Sequence, residues 1–407
     1  MENRKTDPRT TAVIVSGART PIGKFLGALG SFSAPQLGAI AIRAALDRAK
    51  MNTADINDVI LGNVVSAGLG QAPARQAALH GGVPDTVGAM TVSRVCGSGL
   101  QAVMLASQAI RAGDAQVIVA GGMESMSNAP NYLKGMRNGV KFGNQELIDG
   151  LIHDGLWCAF ESCHMGGHAE YTANKAGISR QDADAYAVES HRRAAHAIDS
   201  GAFKPEIVPV EIASRKGATV VDTDEPVRRD TSAESLAALK PAFPKDAPKD
   251  IKELIVTAGN APGLNDGAAA LVVTSEEYAK ANGLNILARI NAYSTGAVAP
   301  RDVFFAPVRA VQNVMKKEGK SISDYDLIEA NEAFAVQALA DGRELGWDWD
   351  RVNVNGGAIA LGHPIGASGA RVLVTLVHAL HARDKESGMA TLCLGGGDAV
   401  ALSVERV

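Results

Sequence analysis

A cysteine with glycines behind it is the first candidate for chemistry. Cys96 follows a β-like run and precedes Gly97-Ser98-Gly99, at the start of a predicted helix. The positive end of a helix and its free N–H groups stabilise a thiolate, so this placement predicts a lowered pKa and a nucleophilic thiol. A small buried cysteine without reactivity is the alternative interpretation.

The second candidate is a histidine in a loop rich in glycine. His363 stands between Gly362 and Pro364, and further glycines lie on both sides of it. A rigid loop of this kind before a helix can hold an imidazole close to a reacting atom, where it acts as an acid or a base. A solvated loop histidine with no chemical role is the alternative.

A second thiol ends a predicted strand. Cys393 is followed by Leu394 and then by Gly395-Gly396-Gly397, whose backbone N–H groups no bulky side chain shields. Paired backbone donors are the usual device for stabilising an oxyanion. A zinc site built from these thiols and the histidine is disfavoured, because structural zinc uses closely spaced ligands. The chain has only four cysteines, too scattered for a disulfide framework, and we expect them to be reduced.

The elements that must position these residues follow an α/β pattern. Short β-rich runs at 11–15, 117–120 and 271–273 alternate with stretches of helical period. Residues 58–63 resemble residues 326–331, and each segment is followed by a Ser-Gly pair opening a helix, Ser98-Gly99 and Ser368-Gly369. A duplicated αβ unit would give two similar halves, with the active site at their junction.

Between the halves lies a stretch of different composition, which we interpret as an inserted loop domain. The predicted limits are 1–124 and 255–276 for the N-terminal half, 125–254 for the insert and 277–407 for the C-terminal half. Within the insert, Ser179 is the predicted N-cap of a helix that reaches Ser200, with Asp182 in its first turn. His191 and His196 on this helix are expected at the surface.

Composition excludes some classes of protein. A chain of 407 residues exceeds what one hydrophobic core usually supports, and 46% hydrophobic with 21% charged residues is ordinary for soluble globular proteins. A net charge of -4 gives no basic field for nucleic acid. The apolar run at 11–15 is too short for a signal or membrane segment, so we expect a cytoplasmic protein without a nucleic-acid or membrane partner.

These segments resemble, in order, the motifs of the thiolase family, and the match runs over nearly the whole chain. Val95-Cys96-Gly97-Ser98-Gly99 is similar to the nucleophile loop, Asn331-Glu332-Ala333-Phe334 to the asparagine motif, Gly362-His363-Pro364 to the histidine motif, and Cys393-Leu394-Gly395 to the second-cysteine motif. The resemblance implies the thiolase fold, in which two similar αβ halves pack as α-β-α-β-α layers around an inserted loop domain.

The resemblance also implies a mechanism. Cys96 would carry an acyl group after His363 takes its proton, and Cys393 would remove a proton from a second acetyl-CoA. His363 and a water held by Asn331 would form one oxyanion hole, and the amides of Cys96 and Gly395 the other. The implied substrates and products are acetyl-CoA, acetoacetyl-CoA and CoA, with no metal or redox cofactor. A homo-oligomer is implied too, a tetramer or a dimer, since residues 132–157 are similar in position to the tetramerisation loop.

Residues similar in position to the ligand contacts of the family lie mostly in the insert. They are His164, Met165, Arg228, Ser235, Phe243, Ala258, Leu264 and Phe334. His164-Met165-Gly166 resembles the biosynthetic, short-chain members, which favours acetoacetyl-CoA as substrate. Three departures bear on this choice: Gly167, Pro262, and Asp398, whose charge could alter the pKa of Cys393.

Three alternatives to this function remain at the level of sequence. A 3-ketoacyl-CoA thiolase of fatty-acid β-oxidation would use the same groups on longer chains. A ketoacyl synthase typically pairs one cysteine with two histidines, whereas here the third group is Cys393. A non-catalytic carrier of acyl-CoA or lipid on the same fold would be expected to have lost Cys96 or His363, and both are present.

Overall fold

The computed structural model describes residues 7–214 and 217–407, so the first six residues of the predicted N-terminal half lie outside it. Its helices are α1 (Ala34–Ala49), α2 (Pro73–His80), α3 (Ser98–Ala112), α4 (Met165–Ala176), α5 (Arg180–Asp199), α6 (Ala233–Ala237), α7 (Glu276–Ala281), α8 (Ala306–Glu318), α9 (Ala335–Leu345), α10 (Ala358–Leu361) and α11 (Ile365–Ala382). Its strands are β1 (Ala12–Arg19), β2 (Gly23–Lys24), β3 (Asp58–Gly62), β4 (Gly88–Val92), β5 (Val117–Ser125), β6 (Asn131–Tyr132), β7 (Ile148–Asp149), β8 (Trp157–Cys158), β9 (Cys163–His164), β10 (Val210–Ser214), β11 (Gly217–Val221), β12 (Asn265–Ser275), β13 (Ala288–Ala297), β14 (Leu327–Ala330), β15 (Ser387–Leu394) and β16 (Asp398–Arg406). The strands predicted at 11–15, 117–120 and 271–273 fall in β1, β5 and β12.

The main sheet repeats one arrangement of strands. Its order is β14-β15-β16-β13-β1-β12-β5-β3-β4, with β2 beside β12. In the order β1-β12-β5-β3, two antiparallel pairs are followed by a parallel pair, and β13-β16-β15-β14 repeats this pattern. The two halves meet where β1 pairs with β13. The predicted duplication of an αβ unit is therefore confirmed, although the residue limits of the domains stay a prediction.

Helices cover both faces of each half. α1 and α2 pack on the outer face of the N-terminal half and α8 on the outer face of the C-terminal half, while α3 and α11 contact each other and strands of both halves. This is the predicted α-β-α-β-α layering. α11 is apolar enough in composition to cross a membrane, but 83% of it is buried inside the fold, as expected for the central helix of a layered core.

Glycines allow the two central helices to approach closely. A Cβ on Gly99 would lie 2.6 Å from the backbone nitrogen of Ala370, and a Cβ on Gly369 would overlap the backbone nitrogen of Leu100. Each glycine belongs to the Ser-Gly pair that repeats between the halves. The repeated pair therefore marks the point where α3 and α11 cross, just after the loops that carry Cys96 and His363.

The insert contains α4, α5, α6 and three short hairpins. As predicted, α5 begins after Ser179, whose side chain accepts a hydrogen bond from the N–H of Asp182, while the Asp182 carboxylate accepts one from the N–H of Ser179. The expected surface position of His191 is wrong. His191 is buried, and its Nδ1 accepts a hydrogen bond from the backbone N–H of Arg228 at 3.1 Å. His196 is exposed, as predicted.

Candidate active site

A cavity of about 320 Å³ lies where loops of both halves meet the insert. Its lining includes Cys96 from one half and His363, Cys393 and Gly395 from the other, so residues up to almost 300 positions apart in the sequence meet here. The lining also includes His164, Met165, Phe243, Ala258, Leu264 and Phe334. Two of the predicted ligand contacts are not part of this lining. Arg228 is exposed beside His191, and Ser235 is exposed in the first turn of α6.

Cys96 stands on a tight turn between β4 and α3. The preceding residue, Val95, has a φ of 45°, a conformation that a β-branched residue adopts only under constraint. The Ser98 hydroxyl holds this turn, because it donates a hydrogen bond to the Val95 carbonyl at 2.6 Å and accepts one from the Arg94 N–H at 2.8 Å. Gly97 is required as well, since a Cβ there would lie 2.6 Å from the Leu394 side chain. The turn presents the thiol to the cavity.

The electrostatics of Cys96 differ from the prediction. Burial raises the pKa of its thiol to about 12, and hydrogen bonds from the N–H groups of Cys96 and Gly395 lower it only in part. The predicted lowering by the helix N-terminus is therefore wrong for the net pKa, because the loss of solvent outweighs it. Those same two N–H groups converge on the sulfur, which is the arrangement predicted for the second oxyanion hole.

His363 is held in one orientation by two side chains. Its backbone N–H donates to Asn265 Oδ1 at 2.9 Å, and its Nδ1 lies 2.6 Å from the Ser368 hydroxyl. The Ser368 hydroxyl donates its own proton to the Pro364 carbonyl at 2.9 Å, so in the contact with His363 it acts as acceptor. We therefore assign the ring proton to Nδ1, which leaves the lone pair on Nε2.

The charge state of His363 follows from its surroundings. Burial, with a smaller contribution from the positive charge of Arg371, lowers the pKa of His363 to about 3. Neither the buried surroundings nor the positive charge of Arg371 stabilises the extra proton of a charged imidazole. His363 is thus a neutral imidazole throughout the physiological range, with one ring nitrogen free to accept a hydrogen bond.

Asn331 lies beside His363. Its Nδ2 is 3.4 Å from Nε2 and 3.5 Å from Nδ1 of His363, and the side chain is buried. The next residue, Glu332, anchors the loop, because its carboxylate accepts hydrogen bonds from Tyr186 Oη at 2.9 Å and from Ser190 Oγ at 2.8 Å. The two groups assigned by resemblance to one oxyanion hole are thus adjacent.

Cys393 is buried near the end of β15. Burial raises the pKa of its thiol well above the ordinary value, and the nearby Cys96 and Asp341 raise it further. The charge of Asp398 is paired with that of Arg94. Arg94 donates hydrogen bonds from Nε and Nη2 to Asp398 Oδ2 at 2.9 and 2.7 Å, so the unusual aspartate joins the Gly395 loop to the Cys96 loop.

Aromatic rings form the wall of the cavity that the insert contributes. His164 stacks on Phe243 with ring centroids 4.7 Å apart, and its Nδ1 accepts a hydrogen bond from the Gly166 N–H at 3.0 Å. Burial lowers the pKa of His164, so this ring is also neutral. A side chain on Gly166 would overlap the Phe243 ring, and one on Gly167 would overlap the backbone of Asp246. The departure at Gly167 thus reflects a close approach of two segments.

Sequence reasoning missed the residues that orient the reacting groups. Ser368 was noticed only as part of a repeated Ser-Gly pair, and its position five residues after His363 was the available signal. Asn265 lies far from His363 in the sequence and gave no signal. Among residues 7–214 and 217–407, no group of three or more His, Cys, Asp or Glu side chains is arranged to hold a metal ion.

Comparisons with known proteins agree with this geometry. The family models for the Thiolase N-terminal domain and the Thiolase C-terminal domain match residues 12–277 and 284–406. The chain is 53% identical to the acetyl-CoA acetyltransferase of Pseudomonas aeruginosa and 54% identical to that of Escherichia coli K12, covering in each case 97% of this chain and 99% of the other protein. The crystal structure of the Bacillus anthracis acetyl-CoA acetyltransferase superposes with a TM-score of 0.94 at 42% identity, over 98% of this chain and 99% of that one. The chain belongs to the thiolase family.

Proposed function

We propose that this protein is an acetyl-CoA C-acetyltransferase, which condenses two molecules of acetyl-CoA to acetoacetyl-CoA and CoA and also runs in reverse. The observation that carries the proposal is a single cavity holding Cys96, His363, Cys393 and Gly395. The names of the relatives supply the reaction, because proteins about half identical over nearly their whole length are acetyl-CoA acetyltransferases.

The first half reaction transfers an acyl group to Cys96. Nε2 of His363 accepts the thiol proton as the sulfur attacks the thioester carbonyl, and the N–H groups of Cys96 and Gly395 donate to the oxygen that becomes negative. His363 then returns the proton to the departing CoA sulfur. A thiol with a raised pKa is a strong nucleophile once deprotonated, and exchange of one thioester for another is close to balanced in energy.

The second half reaction forms the carbon–carbon bond. Cys393 reacts from its thiolate form, which its raised pKa makes the minor form, and removes a proton from the methyl group of a second acetyl-CoA. The side-chain amide of Asn331, beside His363, donates to the enolate oxygen. The enolate carbon attacks the acyl group and releases the Cys96 sulfur, which receives the proton held by Cys393. The two thiols therefore end the cycle in their starting states. The high pKa of Cys393 suits this role, because a weakly acidic carbon needs a strong base.

A short acyl group fits the wall built by the insert. The stacked His164 and Phe243 rings, with Phe334 in edge contact at 6.2 Å, stand beside the reacting thiols. Rings that pack against each other in this way leave little freedom to open a channel for a long chain. This supports acetoacetyl-CoA over a long 3-ketoacyl-CoA, while CoA itself occupies the outer part of the cavity.

We propose a homotetramer, supported by an exposed apolar arm. β6 and β7 pair, and the segment between them carries Leu133, Met136 and Phe142, the last 99% exposed. Apolar side chains of this size on an isolated arm are typical of a contact between subunits. A monomer in sedimentation velocity would contradict the tetramer. A cytoplasmic location and a reaction without metal or redox cofactor remain proposals as well.

The test of function is CoA-dependent loss of acetoacetyl-CoA absorbance, run beside a long-chain 3-ketoacyl-CoA at matched concentrations. Preference for acetoacetyl-CoA is the expected result. Preference for the longer chain would keep the mechanism and reassign the protein to fatty-acid breakdown, and activity on neither would favour the carrier. Cys96→Ser serves as the control for background thiolysis.

A further inference from the structure

Two cysteines outside the reacting set face each other on a short hairpin. Cys158 in β8 pairs directly with Cys163 in β9, and Trp157 pairs with His164. Directly opposed residues of an antiparallel pair project to the same face with α-carbons about 4.5–5.5 Å apart. A disulfide spans α-carbons about 4.4–6.8 Å apart, so this register places the two thiols in bonding range without backbone rearrangement.

The two thiols differ in access. Cys158 is 2% exposed, whereas Cys163 is half-buried and its Sγ lies 3.6 Å from Nε2 of His168. Burial lowers the pKa of His168, so its ring is neutral and can accept a hydrogen bond from the thiol. Cys163 is therefore the thiol that an incoming reagent meets first, and Cys158 is the one placed behind it to complete the bond.

We propose that Cys158 and Cys163 form a reversible disulfide when the protein meets a low-molecular-weight disulfide. The Cys163 sulfur attacks one sulfur of the reagent, breaks its S–S bond and releases one thiol. The Cys158 sulfur then attacks Cys163 and releases the second thiol. The protein loses two electrons and two protons, and both pass to the reagent, which leaves as two thiols.

The hairpin connects this bond to the substrate cavity. Leu156 lies just before β8 and His164 ends β9, and both line the cavity. A bond between Cys158 and Cys163 would fix the separation of these two wall residues. The site is independent of the proposed function, because disulfide formation requires neither acyl transfer nor CoA.

The test uses the full chain carrying Cys96→Ser and Cys393→Ser, which leaves only these two of the four cysteines. The protein is incubated with oxidised glutathione at mildly alkaline pH, since burial raises the pKa of Cys163 to about 11. Titration after unfolding should find two free thiols before treatment, none after it, and two again after reduction. Proteolysis after Glu161, which lies between the two cysteines, should yield peptides that stay joined until reduced.

Matched controls replace one thiol at a time. Cys158→Ser and Cys163→Ser in the same background should each lose the linked peptides. Two free thiols after treatment, separate adducts on both cysteines, or linkage between chains would overturn the proposal. If the double serine background fails to fold, peptide mapping of the unmodified chain gives the same decision, because the cleavage at Glu161 reports only on the pair at 158 and 163.

Discussion

Replacing Ser368 with alanine tests whether the His363 tautomer is set by a single hydroxyl. Among the described residues, Ser368 Oγ is the only acceptor that lies within 3 Å of His363 Nδ1. Both side chains are buried. In Ser368→Ala, the Nδ1–H loses this acceptor, and the tautomer with the proton on Nε2 is no longer disfavoured. That tautomer cannot take the Cys96 proton.

The size of the effect follows from the cost of an unsatisfied buried donor. Leaving such a group without its acceptor costs about 1–3 kcal/mol. If the productive tautomer carries this cost, the rate of acylation falls roughly 5- to 150-fold. The assay is single-turnover acylation of Cys96 by acetyl-CoA, measured by mass spectrometry of the quenched protein, with thermal unfolding followed in parallel.

A matched control removes a buried hydroxyl elsewhere on the same helix. Thr375 lies seven residues beyond Ser368, about 10 Å along α11, and donates to Glu206 at 3.2 Å. Thr375→Val should lower the free energy of unfolding while leaving acylation unchanged. Acylation by Ser368→Ala at the unmodified rate would refute the assignment of the tautomer, and so would an equal loss in both variants.

Three further predictions concern the loops, the charge state and the core. Arg94 and Asp398 are 33% and 29% exposed, so Arg94→Ala and Asp398→Ala should each lower kcat/KM only roughly two- to five-fold, with the double variant no worse than either; additive losses would contradict their pairing. The pH profile of kcat/KM should show no ascending limb near 6.5, because a lowered folded pKa keeps His363 unprotonated down to about pH 3; a limb with its midpoint near 6.5 would show a solvated imidazole. Gly99→Ala should lower the free energy of unfolding by about 1–3 kcal/mol in denaturant titration, since its Cβ would meet the Ala370 backbone, and unchanged stability would place the helix crossing elsewhere.

Much of the fold was predictable because the sequence repeats itself. The resemblance of 58–63 to 326–331 corresponds to the equivalent strands β3 and β14, each parallel to its neighbour. The repeated Ser-Gly pairs fall at one helix crossing, where only glycine fits. A duplicated unit folds in the same way twice, so a motif that recurs in both halves predicts equivalent elements in each.

The reacting groups were predictable by type, but their energetics were not. A helix N-terminus after Cys96 predicts a lowered pKa, yet burial by residues far along the chain raises it to about 12. His191 lies at the helical spacing of the buried Ala187 and Ala194 on α5, and a distant segment at Arg228 covers it, so its expected surface position is wrong. The desolvation of Cys96 depends on tertiary contacts, which local composition does not reveal.

In the proposed mechanism Cys96 carries the acyl group and Cys393 moves the proton, and trapping the acyl-enzyme distinguishes these two roles. The chain and its Cys96→Ser and Cys393→Ser variants would each be mixed with acetyl-CoA, quenched and mapped by mass spectrometry. The account predicts that Cys393→Ser carries an acetyl group on Cys96 and forms no acetoacetyl-CoA, while Cys96→Ser carries none. An unacetylated Cys393→Ser variant, or an acetyl group on Cys393, would contradict it.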